Sequence, residues 1–134
     1  QMCIRDRRMV FQQADVFRLL TELAESRRRA YDLIILDPPA FTKTRAAVAS
    51  AARGYKEINL RAMKMVREGG YLVTCSCSQH ILPAHFLEIV RDAARDAHVQ
   101  LRQVEYRTQG RDHPILPAAP ETQYLKCGIF QLLH

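Results

Sequence analysis

Gly69-Gly70-Tyr71-Leu72-Val73-Thr74-Cys75-Ser76-Cys77-Ser78-Gln79-His80 decides how the rest of the chain is read. A glycine pair ends a helical run, and a short apolar, β-prone segment follows (Tyr71–Thr74). The segment runs into a small polar loop carrying two thiols and a histidine. Chemistry in a parallel α/β sheet collects beyond the carboxyl ends of its strands. The stretch therefore reads as such a strand with a candidate nucleophile at its tip. A buried strand with two inert thiols is the alternative reading, since free cysteine is among the most buried residue types.

The flanking segments supply the layers. Val16–Arg29 places Val16, Leu19, Leu20, Leu23 and Ala24 at helical spacing. Asp15 fits as its N-cap, and the basic run Arg27–Arg29 suits its C-terminal dipole. Tyr31–Leu36 is apolar except for Asp32, and reads as a central strand buried on both faces. It ends at Asp37-Pro38-Pro39, because proline cannot join the ladder. Thr42–Ser50 reads as a mobile connection. Arg53–Arg67 is a second helical pattern, ended by Gly69-Gly70. Pro83 opens a third helix that carries Phe86, Leu87, Ile89, Val90, Ala93, Ala94 and Ala97. Val99–Tyr106 alternates as a strand, Thr108–Thr122 is a proline-rich ordered loop, and Tyr124–Leu133 is the last strand. The order predicts an α/β fold with a parallel-rich sheet. The last two strands, with no helix between them, are expected to pair antiparallel.

The chain has 134 residues, 48% hydrophobic and 25% charged, which suits one globular domain with a real core. No apolar run approaches the ~18 residues of a membrane span. Net charge is +6, which is compatible with a phosphate-bearing partner. Residues 1–8 fit no element that follows and look like translated adapter read-through, a non-native leader. Their three arginines and one aspartate contribute +2 of the +6, leaving +4. Beyond Cys3 in that leader, the three cysteines are an odd number with no export signal, which argues against a disulfide framework. Cys75 and Cys77, two apart, are expected to point to opposite faces of a strand, which disfavours their holding one metal together, and no second Cys-x-x-Cys pair exists, so no metal site is expected.

Several motifs occur together in order: Asp37-Pro38-Pro39-Ala40-Phe41, Arg53-Gly54-Tyr55-Lys56-Glu57-Ile58-Asn59, Gly69-Gly70 with Ser76-Cys77-Ser78-Gln79-His80, Asp112-His113-Pro114, and Pro120-Glu121 with Tyr124-Leu125-Lys126. From about Met9 onward the chain resembles the S-adenosylmethionine-dependent ribosomal RNA large-subunit methyltransferases that act on carbon 5 of cytosine. The resemblance implies a Rossmann-like class I methyltransferase fold with strand order 3-2-1-4-5-7-6. Val10–Gln12 would be strand 3, and the remaining strands 4 to 7. Strands 1 and 2 and the glycine-rich cofactor loop are missing, and the chain holds no Gly-x-Gly. Residues 9–134 are thus expected to be the C-terminal part of such a domain. Strand 4 then becomes a bare apolar edge, inviting poor solubility or an edge-strand dimer.

The resemblance also implies roles. Cys77 would be the nucleophile that adds to carbon 6 of cytosine, with Cys75 packing in the strand. Asp37 would hydrogen-bond or protonate the ring nitrogen, and a Pro38 or Pro39 carbonyl would accept from the exocyclic amine. Asp15, Asp37 and Pro38 would meet the cofactor S-adenosyl-L-methionine. Phe41 would stack on the flipped base or serve as core. Arg53, Tyr55, Lys56 and Asn59 would face RNA or the pocket rim, and His113, Glu121, Tyr124 and Lys126 would shape the base pocket. His80 would hydrogen-bond near the thiol. The family often has lysine where this chain has Ala40, which removes one phosphate or cofactor contact. The implied partner is ribosomal RNA in the cytoplasm, with no membrane. Two other readings stay open. One is an amino-methyltransferase of the Asp-Pro-Pro-x-Phe type, which needs no thiol; the other is a non-catalytic RNA-binding fragment.

Overall fold

The computed structural model describes residues 9–134; residues 1–8, read above as a leader, lie outside the described residues. Its elements are α1 (Val16–Ser26), β1 (Tyr31–Leu36), α2 (Val48–Met65), β2 (Val66–Ser76), α3 (Pro83–Ala97), β3 (Gln100–Arg107) and β4 (Lys126–Leu133). The four strands form one sheet in the order β1-β2-β4-β3. β1 runs parallel to β2, while β4 is antiparallel to both β2 and β3. Read as strands 4, 5, 6 and 7, this is the 4-5-7-6 half of the expected order.

The helices form where the apolar spacing puts them. Asp15 caps α1 by accepting from the Arg18 N–H at 2.9 Å. Along α2, Tyr55, Ile58, Ala62 and Met65 recur at intervals of three and four and are all buried. Pro83 occupies the first turn of α3, and His98 closes that helix in the left-handed region at φ 57°. The core joins the inner faces of α2 and α3 to one face of the sheet, through Leu72, Phe130 and Leu132.

Four expectations are corrected. Val10–Gln12 forms no strand and is exposed. A strand exists by exchanging hydrogen bonds with a neighbour, and among the described residues no strand pairs with it. β1 is not buried on both faces: Leu33 and Ile35 are 51% and 62% exposed. β1 is the edge of the sheet; α2 and α3 pack on one sheet face with α1 against α2, and the other face of β1 is bare. The connection before α2 contains a 3₁₀ turn at Arg45–Ala47, and the helix already starts at Val48.

The fourth correction concerns the glycine pair. α2 stops at Met65, and Gly69-Gly70 lies inside β2. Tyr31 is opposite Val66 but Leu33 is opposite Tyr71, so β2 bulges between those points. Gly69 adopts φ 74°, and a Cβ on Gly70 would lie 2.9 Å from the Asp32 carbonyl oxygen and 3.0 Å from that of Arg67. The pair makes the bulge rather than capping the helix. Gly70→Ala is expected to cost about 2 kcal/mol through this backbone crowding, lowering the thermal midpoint by roughly 5–10 °C in a calorimetric scan.

Candidate active site

The loops at the carboxyl ends of β1 and β2 bring the sequence motifs together. After Ser76, the chain leaves β2 and presents Cys77 on the wall of a cavity of about 440 Å³ with Lys43, His80 and Tyr124. The Cys77 thiol lies 4.0 Å from the Pro38 carbonyl oxygen, the outer limit of an S–H···O contact. On the other side of the Asp37-Pro38-Pro39 loop is a second cavity of about 420 Å³. Its walls are mostly apolar: Val16, Phe17, Ile35, Leu36, Phe41 and Ile58 surround the loop. The Asp37-Pro38-Pro39 loop thus lies between the cavity that exposes the thiol and the apolar cavity that the loop itself lines.

The two thiols of the opening stretch have different surroundings. Residues two apart in a strand share a face, so strand alternation does not separate them; the end of β2 between them does. Cys75 is buried in the sheet opposite Cys127. Burial, reinforced by its contact with Cys127, pushes the Cys75 thiol up to about 12. Cys77 is half-buried on the cavity wall. Among the described residues, no group of three or more histidine, cysteine or acidic side chains is placed to hold a metal ion.

Ser78, the residue after Cys77, is anchored from three directions. Its hydroxyl shares a 2.8 Å hydrogen bond with the Tyr55 hydroxyl of α2. Its carbonyl accepts from the Lys126 ammonium at 2.6 Å, and its N–H donates to the Ser76 hydroxyl at 3.4 Å. The Lys126 ammonium also donates to the Tyr124 carbonyl at 2.9 Å. The sequence motifs named these residues but not their contacts with one another, because the partners are far apart in the chain.

The other expected site residues divide. Phe41 lines the apolar cavity and packs against Tyr55 and Phe17, at ring distances of 4.5 and 5.8 Å. It therefore serves as core and as cavity wall together. Tyr55 and Asn59 are fully buried, so neither faces a rim or a partner. Both sit on the inner stripe of α2, which packs on the sheet. Arg53 and Lys56 lie toward α3, beside a hollow shared with His85 and Asp92 rather than at the thiol cavity. Lys56 pairs with Asp96 at 2.7 Å. His113 is exposed and meets the Tyr124 ring edge-on at 6.2 Å, so only Tyr124 of that pair reaches the thiol cavity. Asp15 borders a separate hollow with Arg18 and Glu22. Glu121 is exposed in a 3₁₀ turn.

Comparison with known proteins gives the fold its place. SMU.776, a protein assigned as a methyltransferase and solved with SAH, matches with a TM-score of 0.72 at 18% identity, over 88% of this chain and 30% of that one. The fold is that of a class I methyltransferase. A methyltransferase homolog from Pyrococcus horikoshii matches at 0.58 and 17% identity, over 84% of this chain and 42% of its own. In sequence, the chain is 44% identical over 123 residues to ribosomal RNA large subunit methyltransferase I of Vibrio campbellii, covering 92% of this chain. It is 45% identical over 116 residues to the protein of the same name from Photobacterium profundum, covering 87% of this chain. The chain spans 31% and 29% of the lengths of these two relatives. No protein-family model matches it.

The contrast between the thiols is directly measurable. With iodoacetamide at pH 8, peptide mass spectrometry is expected to find Cys77 alkylated while Cys75 stays unmodified. Rapid labelling of Cys75 in the folded protein would contradict its burial.

Proposed function

We propose that this chain is the C-terminal part of the catalytic domain of a ribosomal RNA large-subunit methyltransferase. The reaction is methylation of carbon 5 of a cytosine, with Cys77 as covalent nucleophile. One observation carries the reading: the Cys77 thiol, on the wall of one cavity, lies 4.0 Å from the Pro38 carbonyl of the proline-stiffened loop that begins at Asp37 and lines the second cavity. The sequence similarity to the Vibrio and Photobacterium enzymes supports the substrate class.

The chemistry follows from the thiol. Carbon 5 of cytosine is a poor nucleophile. A Cys77 thiolate forms a carbon–sulfur bond at carbon 6, and the displaced electron pair makes carbon 5 enamine-like and nucleophilic. After carbon 5 is methylated, a base removes its proton, the ring double bond re-forms, and the carbon–sulfur bond breaks to return the thiolate. Asp37 hydrogen-bonds or protonates the ring nitrogen, drawing electrons from carbon 6. The Pro38 carbonyl accepts from the exocyclic amine. The flipped base enters the cavity beside Tyr124 and His80 with its ring-nitrogen edge turned toward the Asp37-Pro38-Pro39 loop.

S-adenosyl-L-methionine, when bound, supplies an electrophilic methyl group on a sulfonium. The described residues fit part of it. Val16, Phe17, Ile35 and Phe41 offer an apolar wall beside the Asp37 carboxyl, whereas the chain has no Gly-x-Gly turn to seat the polar end. We assign that turn, and the cover of the bare sheet face, to the part of the relatives' length that this chain does not span. Isothermal calorimetry of the 134-residue chain with S-adenosyl-L-methionine is accordingly expected to show no binding or only very weak binding; micromolar affinity would refute the division.

The decisive test uses the longer enzyme carrying this segment. Cys77→Ser is expected to reduce methyl transfer at least about a thousandfold. RNA bearing 5-fluorocytosine, which has no removable carbon-5 proton, is expected to leave a denaturant-stable adduct on Cys77. Retained turnover in Cys77→Ser would eliminate the covalent route and favour amino-methyl transfer by the Asp37-Pro38-Pro39-x-Phe41 loop.

A further inference from the structure

Lys126 is 2% exposed, at the start of β4 and opposite Ser76 of β2. Lysine is almost never fully buried unless it is paired with an opposite charge, yet among the described residues no carboxylate lies within ion-pair range of it. Its recorded partners are two backbone carbonyls, of Ser78 and Tyr124. Ser78 follows the thiol in sequence, and Tyr124 lines the cavity that holds it. An ammonium has three donors, so these carbonyls leave one unused.

Two carbonyls need N–H donors; they do not need a full charge. A neutral amide or hydroxyl would bridge them without the penalty of burying an ion. The placement makes sense if the charge has a partner that appears only when the site works. Cys77 is that partner: it is one residue from the clamped carbonyl, and it becomes anionic when it acts as nucleophile. We propose that Lys126 is a positioning residue for Cys77, fixing the backbone on both sides of the thiol cavity and holding a positive charge against the sulfur. The proposal rests on the reading of Cys77 as nucleophile.

The titration of Lys126 agrees with this geometry. Burial lowers its pKa to about 8, and the neighbouring Cys77 opposes that fall. The ammonium is thus charged at neutral pH and loses its proton as pH rises through about 8. The other titratable groups around the cavity are Lys43, His80 and Tyr124. Asp37 lies on the adjoining loop, with Cys75 and Cys127 behind in the sheet.

A charge readout separates this from a merely structural role. Iodoacetate is anionic and iodoacetamide neutral, and both consume the same thiolate. The ratio of their rates at Cys77, followed by peptide mass spectrometry, therefore reports local charge and not the thiolate fraction. In the wild-type protein the iodoacetate-to-iodoacetamide ratio is expected to fall about fivefold between roughly pH 7 and 9.5, as Lys126 loses its charge. Lys126→Met should lower the ratio at neutral pH by about the same factor and flatten its pH dependence; Lys126→Arg should keep it high. A flat ratio in the wild-type protein overturns the proposal, whether or not the variants fold. So does a ratio that Lys43→Gln lowers and Lys126→Met leaves alone. None of these measurements uses methyl transfer, so a failure here is distinguishable from survival of turnover in Cys77→Ser.

Discussion

Insertion of β4 between β2 and β3 is the constraint on which the site depends. A strand running against its neighbours delivers its first residues to their carboxyl ends, and here Lys126 arrives beside the tip of β2. Without that antiparallel insertion, the tip would be a free loop after Ser76. With it, the loop bearing Cys77 is tied to the sheet through Ser78, and α2 ties it a second time through Tyr55. Backbone carbonyls that would otherwise be orphaned find donors, and the thiol is held chiefly through its neighbour, its own contact being the 4.0 Å approach to the Pro38 carbonyl.

The bare sheet face and the cavities describe one situation. Tyr31, Leu33, Ile35 and Tyr71 are exposed on or beside β1, and the apolar cavity opens at the end of that same strand. Apolar patches of this kind mark surfaces that another layer covers. The half of the site made by the β1 and β2 loops is complete enough to hold a thiol and a carboxyl in register. The surface facing it is the part a cofactor and its covering elements would occupy.

Periodicity made α1, α2 and α3 legible, because each buries one stripe against a neighbour. The final antiparallel pair was legible because no helix separates β3 from β4. The Asp37 loop and Cys77 could be read because their residues are contiguous in sequence. What lay beyond reading depends on neighbours distant in the chain. Gly69-Gly70 looks like a helix stop when scanned locally, yet Val66 pairs with Tyr31 and draws the backbone into β2 first. Tyr55 looks like a polar-tipped rim residue until its hydroxyl finds Ser78, 23 residues away. The resemblance places Lys126 at the base pocket, but nothing nearby in sequence announces that it is buried or that it grips the Ser78 carbonyl. Val10–Gln12 has a strand's composition but no partner to pair with.

Alternation along β2 carries one more consequence. Leu72, Thr74 and Ser76 point under the helices, while Tyr71, Val73 and Cys75 point to the bare side. The placement of thiol and hydroxyls is thus a matter of parity. Losing or gaining a single residue between the bulge and Ser76 would exchange odd for even. The Cys75 sulfur would turn toward the helices, and the Ser76 hydroxyl that now accepts from the Ser78 N–H would turn away. The bulge at Gly69-Gly70 sets the count from which that parity is reckoned, so a pair of residues with no side chains fixes which side chains of β2 face the helices.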